Sequence, residues 1–222
     1  MRNLLITALT GFCLIYTLAS CQSRTSSDAE EETVQSMSQQ QLEAVVMERG
    51  KAIASASQQA LASNLKGAIQ RGGIEEAFKF CNVQAMPITD SLSKAYDATV
   101  RRATLWVRNP KDEATEVERE ILEAYHAIMQ AGETPEPRVV DLDNDYVLYT
   151  QPIAIQNGLC LNCHGEVGQQ VQQQTYELIQ ERYPEDQATG HQMGDLRGIW
   201  SIRFEKASLQ EEEIMGMLLQ HE

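Results

Sequence analysis

From Gln39 to about Arg71, the apolar residues Leu42, Val45, Val46, Ile53, Leu61, Leu65 and Ile69 recur at spacings of three, four and eight, with alanines between. That is the period of one helix face, and Gly72-Gly73 is a helix stop, so a long first helix is expected, with a kink at Gly50. A second helix is predicted from Ile74 to about Gln84, ended by Pro87, and a third from Ile88 to Ala95. Cys81 falls one turn after Ala77 and Phe78 on the apolar face, which predicts a buried thiol. Val100 to Arg108, rich in β-branched and aromatic residues, reads as a strand closed by an Asn109-Pro110 turn. Glu113 to Gln130 reads as a helix with Val117, Ile121, Leu122, Tyr125 and Ile128 on one face, stopped by Gly132 and Pro135. Arg138–Asp143 and Tyr146–Pro152 form a hairpin pattern about Asn144-Asp145.

Glu177 to Tyr183 predicts a short helix ended by Pro184. Gly190, Gly194 and Gly198 punctuate a loop before a last strand, Ile199–Phe204. Ala207 to Gln220 has the amphipathic pattern of a closing helix, with Leu209, Ile214, Met217 and Leu218. Helices and strands thus mix around a small antiparallel sheet, an α+β layout without internal repeats.

The start of the chain reads differently. Met1-Arg2-Asn3, an apolar run from Leu4 to Leu18 and Leu18-Ala19-Ser20-Cys21 have the order of a bacterial lipoprotein signal. Residues 1–20 are therefore expected to be removed and Cys21 to carry lipid; the alternative is a plain secretory signal cut nearby. Residues 21–38 are mostly Gln, Ser, Thr, Asp and Glu and read as a flexible tether, leaving 39–222 as one domain. No later stretch is apolar enough to cross a membrane, so lipid would be the only membrane link. The expected location is the cell envelope, periplasmic or at the outer membrane.

Charge narrows the partners. The 222 residues carry 18 basic and 32 acidic side chains, a formal net charge of −14. Such a surface argues against nucleic acid and anionic membranes and would suit a basic redox protein.

The candidate chemistry sits in Cys160-Leu-Asn-Cys-His164. Two thiols three positions apart followed by a histidine are the attachment pattern for c-type haem: the thiols meet the two vinyl groups of one porphyrin edge, and the imidazole lies under the iron. A structural disulfide, a thioredoxin-like pair and half of a zinc site are the alternatives. No second Cys or His pair lies nearby to complete a zinc site. The preceding Pro152–Gly158 stretch reads as a loop, not as the strand that leads into a thioredoxin motif. Of the five cysteines, Cys13 leaves with the signal, Cys21 takes lipid, and Cys160 with Cys163 takes haem. Cys81 is left alone, and a free thiol in an oxidising compartment asks for a role. Arg102, Arg108 and Arg197 are candidates to hold the haem propionates, with solvation of a strand as the alternative for each.

Five segments occur in a telling order: Phe80-Cys-Asn-Val-Gln-Ala85, Val107-Arg-Asn-Pro110, Cys160-x-x-Cys-His-Gly165, Arg182-Tyr-Pro-Glu-Asp186 and Gly194-Asp-Leu-Arg-Gly198. From about residue 40 to 206 the chain resembles a family of bacterial c-type haem proteins with a PAS-like fold, found alone or as sensor domains of histidine kinases and diguanylate cyclases. The resemblance implies a PAS-like antiparallel sheet flanked by helices and one covalent haem c. It further implies six-coordinate iron, with His164 on one side and the thiolate of Cys81 on the other. Rival sixth ligands are Met86, His126, His191 and Met193. His126 reads as a surface or satisfied histidine. His191 stands where the family has an aromatic residue, and would face solvent in a loop at the haem edge.

A thiolate stabilises ferric iron, so a low reduction potential is expected, with ligand exchange on reduction as the switch. The implied role is a non-enzymatic redox or gas sensor module. With no kinase or cyclase pattern after the domain, its output is expected to pass to another protein. A low-potential electron carrier is the second reading. A haem peroxidase or a dithiol oxidoreductase is the third, and a bound Cys81 would block the open distal site a peroxidase needs.

Overall fold

The computed structural model describes residues 37–83 and 85–219. Cys21 and the signal and tether segments lie outside the described residues, apart from the last two residues of the tether. Four antiparallel strands form one sheet in the order β1-β4-β3-β2, where β1 is Thr99–Ala103, β2 Arg138–Asp141, β3 Tyr146–Ala154 and β4 Leu196–Glu205. Helices α1 (Gln39–Val83), α2 (Ala85–Ala95), α3 (Glu116–Gln130), α4 (Gly158–His164), α5 (Gln173–Arg182) and α6 (Lys206–Leu219) surround it. The fold is α+β, as the pattern predicts.

Both sheet faces are covered. Leu42, Val46, Ile53 and Ala54 of α1 pack on Val147 and Tyr149 of β3 and on Trp200, Ile202 and Phe204 of β4. Residues alternate across a strand, so Leu148 and Ile199 point the other way, onto Ile121, Leu122 and Tyr125 of α3. A third, smaller cluster joins Phe78 to Val171 and to Ile179 of α5. No helix among the described residues is long and apolar enough to cross a membrane.

Helix α1 has two arms. Gly72 (φ −161°) and Gly73 (φ +69°) are the positions inside it with non-helical backbone, and Gly73 occupies the left-handed region that glycine tolerates. The expected break is present. The expected kink at Gly50 is not. A Cβ at Gly50 would lie 2.2 Å from Cγ of the buried Tyr149, so this glycine lets the helix approach the sheet. Pro87 stands in the first turn of α2 rather than after a helix, where its missing N–H costs nothing.

Three further expectations are corrected. The strand read over Val100–Arg108 stops at Ala103, because the Thr104 hydroxyl accepts from Trp106 N (3.1 Å) and donates to the Arg197 carbonyl (2.8 Å), turning the chain out of the ladder. Val117 is 39% exposed and lies off the buried face of α3. That helix begins at the Thr115–Glu118 capping box. Gly198 belongs to β4, where a Cβ would meet the Ala103 carbonyl oxygen at 2.5 Å. The hairpin forms as expected, its turn held by Asp143 Oδ1, which accepts from Asp145 N and Tyr146 N (both 2.8 Å). The side chains of Ile214, Met217 and Leu218 in α6 lie outside the described residues, while Leu209 is buried.

Candidate haem cavity

At one end of the sheet, where β1 and β3 finish and β4 begins, a cavity of about 340 Å³ opens between the two arms of α1 and helix α4. Its apolar wall comes from Leu61, Leu65 and Ile69 on the first arm of α1 and Phe78 on the second. Cys81, Cys160, Cys163, His164, Arg102, Arg108 and Arg197 all line it. Met86, His126, His191 and Met193 do not.

Local chemistry explains how the cysteines and histidine are presented. β3 ends at Ala154, and Asn157 caps α4 by accepting from Leu159 N (3.0 Å). The motif therefore follows a strand and rides a short helix, contrary to the loop expected there. Its strand belongs to an antiparallel ladder, unlike the parallel unit of a thioredoxin. Cys160, Cys163 and Cys81 are not disulfide-bonded. Among the described residues no three of His, Cys, Asp and Glu come together as a metal-holding group.

Cys81 corrects the expectation of burial. It follows the buried Ala77 and Phe78 on α1, yet its side chain is exposed because it faces the cavity. The surrounding protein still raises the thiol pKa by desolvation, opposed by the positive charges of Arg102 and Arg108. Desolvation pushes Cys163 up to about 11; Arg108 lowers it, and the neighbouring Cys81 and Cys160 raise it. Both thiols are thus protonated at neutral pH.

The segment from 186 to 191 is stitched to the end of α4. Arg108 grips Asp186 with two contacts (Nε to Oδ1 2.7 Å, Nη2 to Oδ2 3.2 Å) and donates to the Cys163 carbonyl (2.8 Å). Asp186 Oδ1 accepts from Ala188 N (3.3 Å), and the Ala188 carbonyl lies 2.8 Å from His164 Nδ1. Gly190 N donates to Gly165 O (2.9 Å) and His191 N to His164 O (2.8 Å). A carbonyl only accepts, so Nδ1 of His164 carries the proton and Nε2 is left bare. Burial holds His164 well below the ordinary histidine range, helped by Arg197 and Arg108.

Two contacts at His164 Nδ1 compete. Arg197 Nε also lies 3.3 Å from it, but the shorter contact to Ala188 O fixes the tautomer, and Arg197 is then a cation beside an N–H. Arg197 Nη1 donates to Thr104 Oγ1 (2.7 Å) and Trp106 O (3.1 Å). Arg102 is held by a single 3.3 Å contact to Asp112.

His191 is not solvent-facing as expected: it is 7% exposed, with its ring edge-on to Trp106 (5.3 Å between centroids) and His164 (6.3 Å). His126 is half-buried on α3, its ring 5.2 Å from that of Trp106. Met193 is 54% exposed. Asp186, Thr104 and the Ala188 carbonyl are the parts of the site that the residue pattern does not assign. Asp186 closes the Arg182–Asp186 segment, and its place in that segment is the available signal.

A sequence profile of the Tll0287-like family matches residues 21–205. The chain belongs to that family. Among solved structures it is similar to the cyanobacterial heme-protein Tll0287, with 24% sequence identity, 76% of this chain and 97% of that chain covered, and a TM-score of 0.53. At that identity the likeness speaks for the fold. No curated protein matches the chain.

Proposed function

We propose that the chain is a lipid-tethered extracytoplasmic c-type haem protein of PAS-like fold, sensing a redox change or a small gas and signalling through a protein partner. The carrying observation is the convergence of Cys81, Cys160, Cys163 and His164 on one cavity, in a family named for a haem protein. The donor set fits: two free thiols three positions apart, a histidine whose bare nitrogen is Nε2, and a further thiol on another wall. When bound, haem would supply a one-electron couple and an iron at which a ligand can exchange.

Cys160 and Cys163 would attach it, each thiol adding sulfur to one vinyl carbon and hydrogen to the other, with no oxidant required. His164 offers Nε2 to the iron, its ring oriented by the Ala188 carbonyl. Cys81 would ligate as thiolate after losing its proton, a loss that desolvation opposes and that Arg102 and Arg108 favour. Arg102 and Arg108 can face the propionates, and Arg102 is the less constrained of the two; Arg197, the third candidate, is instead held by Thr104 Oγ1 and the Trp106 carbonyl beside His164. Sensing draws support from the Gly72-Gly73 break, across which movement of Cys81 would reach the long arm of α1. No bond-making reaction is assigned to the protein.

The reading as an electron carrier draws on the edge-to-face series His164–His191–Trp106–His126, which leads from the cavity to α3. Ferric and ferrous absorption spectra of protein made with a haem-attachment system, beside Cys81→Ala, test the proposal. A haemochrome with two thioether links and a ferric thiolate signature lost in the variant is expected. A spectrum indifferent to the variant removes Cys81 as ligand, and absence of covalent haem overturns the proposal.

A further inference from the structure

Arg197 differs from the other two cavity arginines in what holds it. Arg102 is paired with Asp112 and Arg108 with Asp186, whereas no carboxylate among the described residues ion-pairs with Arg197. Neutral oxygens hold it instead: its Nη1 donates to Thr104 Oγ1 (2.7 Å) and Trp106 O (3.1 Å), while Thr104 Oγ1 also donates to the Arg197 carbonyl (2.8 Å). These bonds fix Nε at 3.3 Å from Nδ1 of His164, although that nitrogen already spends its proton on the Ala188 carbonyl. The guanidinium gains no hydrogen bond from the ring. Burial lowers its pKa to about 9, with Arg108 and Arg102 adding to the shift against the pull of Asp112 and Asp186, which are paired to those two arginines, and it is still charged at neutral pH. An uncompensated cation held against a ligand of the metal acts on the metal's own charge.

We propose that Arg197 is a positioning residue that raises the reduction potential of the haem bound through His164, by fixing one unneutralised positive charge beside that ligand. The inference rests on the haem reading above. Ferric iron carries one positive charge more than ferrous, so a fixed cation in a poorly solvated site disfavours the ferric form. Its effect opposes that of the Cys81 thiolate, and the protein would set its potential by the balance of the two.

Potentiometric titration of the haem-loaded protein separates the cases, with wild type beside Arg197→Gln, Arg197→Lys and Thr104→Val. At a fixed ambient potential, Arg197→Gln is expected to raise the ferric-to-ferrous ratio about tenfold, a fall of about 59 mV in the midpoint of a one-electron couple. Arg197→Lys, which keeps the charge, should stay within about threefold of wild type. Thr104→Val, which frees the guanidinium, should move in the direction of Arg197→Gln. An unchanged or raised midpoint in Arg197→Gln, or a fall accompanied by loss of His164 ligation in the spectrum, overturns the inference. If Arg197→Gln does not accumulate, the remaining pair decides: a wild-type midpoint in Thr104→Val overturns it. Wild-type protein without covalent haem would instead defeat the functional proposal.

Discussion

His164 Nδ1 lies 2.8 Å from the carbonyl oxygen of Ala188, and that contact decides what the imidazole can do. The carbonyl can only accept, so the proton stays on Nδ1 and Nε2 keeps its lone pair for a metal. Burial and the charges of Arg197 and Arg108 hold the ring neutral well below the usual histidine range. In protein produced without haem, long-range proton–nitrogen spectra should therefore show the Nδ1–H tautomer of His164. The ring should also stay neutral as pH falls through its ordinary pKa of about 6.5. A ring carrying its proton on Nε2, or titrating normally, would sink this account.

Asp186 is the hinge pin of the same network. Its side chain is fully buried and is gripped by Arg108, which also donates to the Cys163 carbonyl. Removing one partner of such a pair leaves a charge in a site too dry for it, at a cost of about 3 kcal/mol. Asp186→Ala is expected to lose about that much in urea unfolding and to attach less haem, because Arg108 no longer fixes the end of α4. A loss within about 0.5 kcal/mol would mean that the pair is solvated in solution.

Much of this was legible along the chain, and the failures have a common cause. The Gly72-Gly73 break, the hairpin about Asn144-Asp145 and the cysteine pair with its histidine are local patterns, readable from neighbours a few residues apart. The end of β1 is set by the side chain of Thr104 reaching the Arg197 carbonyl on another strand. His191 sits in a polar, glycine-flanked loop that reads as exposed, and is buried because its backbone is bonded to His164 and its ring rests on Trp106. Cys81 lies on the apolar face as periodicity requires, but that face borders a cavity at this turn. Periodicity tells which way a side chain points and not what lies opposite.

Gly50 shows the same limit and gives a clean test. In a helix, Gly→Ala gains about 1 kcal/mol from propensity alone. At Gly50 the new Cβ would lie 2.2–2.6 Å from ring carbons of Tyr149, which is fully buried and has no room to retreat. Overpacking of this kind costs about 1–3 kcal/mol, so Gly50→Ala should destabilise by about 2 kcal/mol. At Gly67 of the same helix, the nearest atom to a new Cβ is the mobile end of Arg71 at 3.2 Å. Gly67→Ala should stabilise, by up to about 1 kcal/mol. Opposite signs in chemical denaturation are the expected result; equal signs would mean that α1 does not lie on Tyr149 as described.

His191 couples stability to pH. Desolvation first, then Arg197 and Arg108, lower its pKa from 6.5 to about 4, against the opposing pull of Asp195 and Asp186. The ring is 7% exposed and its Nε2 has no partner. Because the folded value is depressed, the unfolded chain binds a proton that the native protein refuses. The native state therefore loses stability as pH falls from about 6.5 to about 4, by about 3 kcal/mol in total, with no further loss from this group below that. Buried His164 works in the same direction. His191→Phe keeps an aromatic ring against Trp106 and removes the titration. Urea unfolding of haem-free protein at pH 7, 5.5 and 4 should show wild type losing about 3 kcal/mol more than the variant, since the carboxylates that titrate nearby are common to both. Parallel curves would mean that His191 takes up its proton in the folded state as readily as in the unfolded one, and that its place beside His164 is not shut off from water.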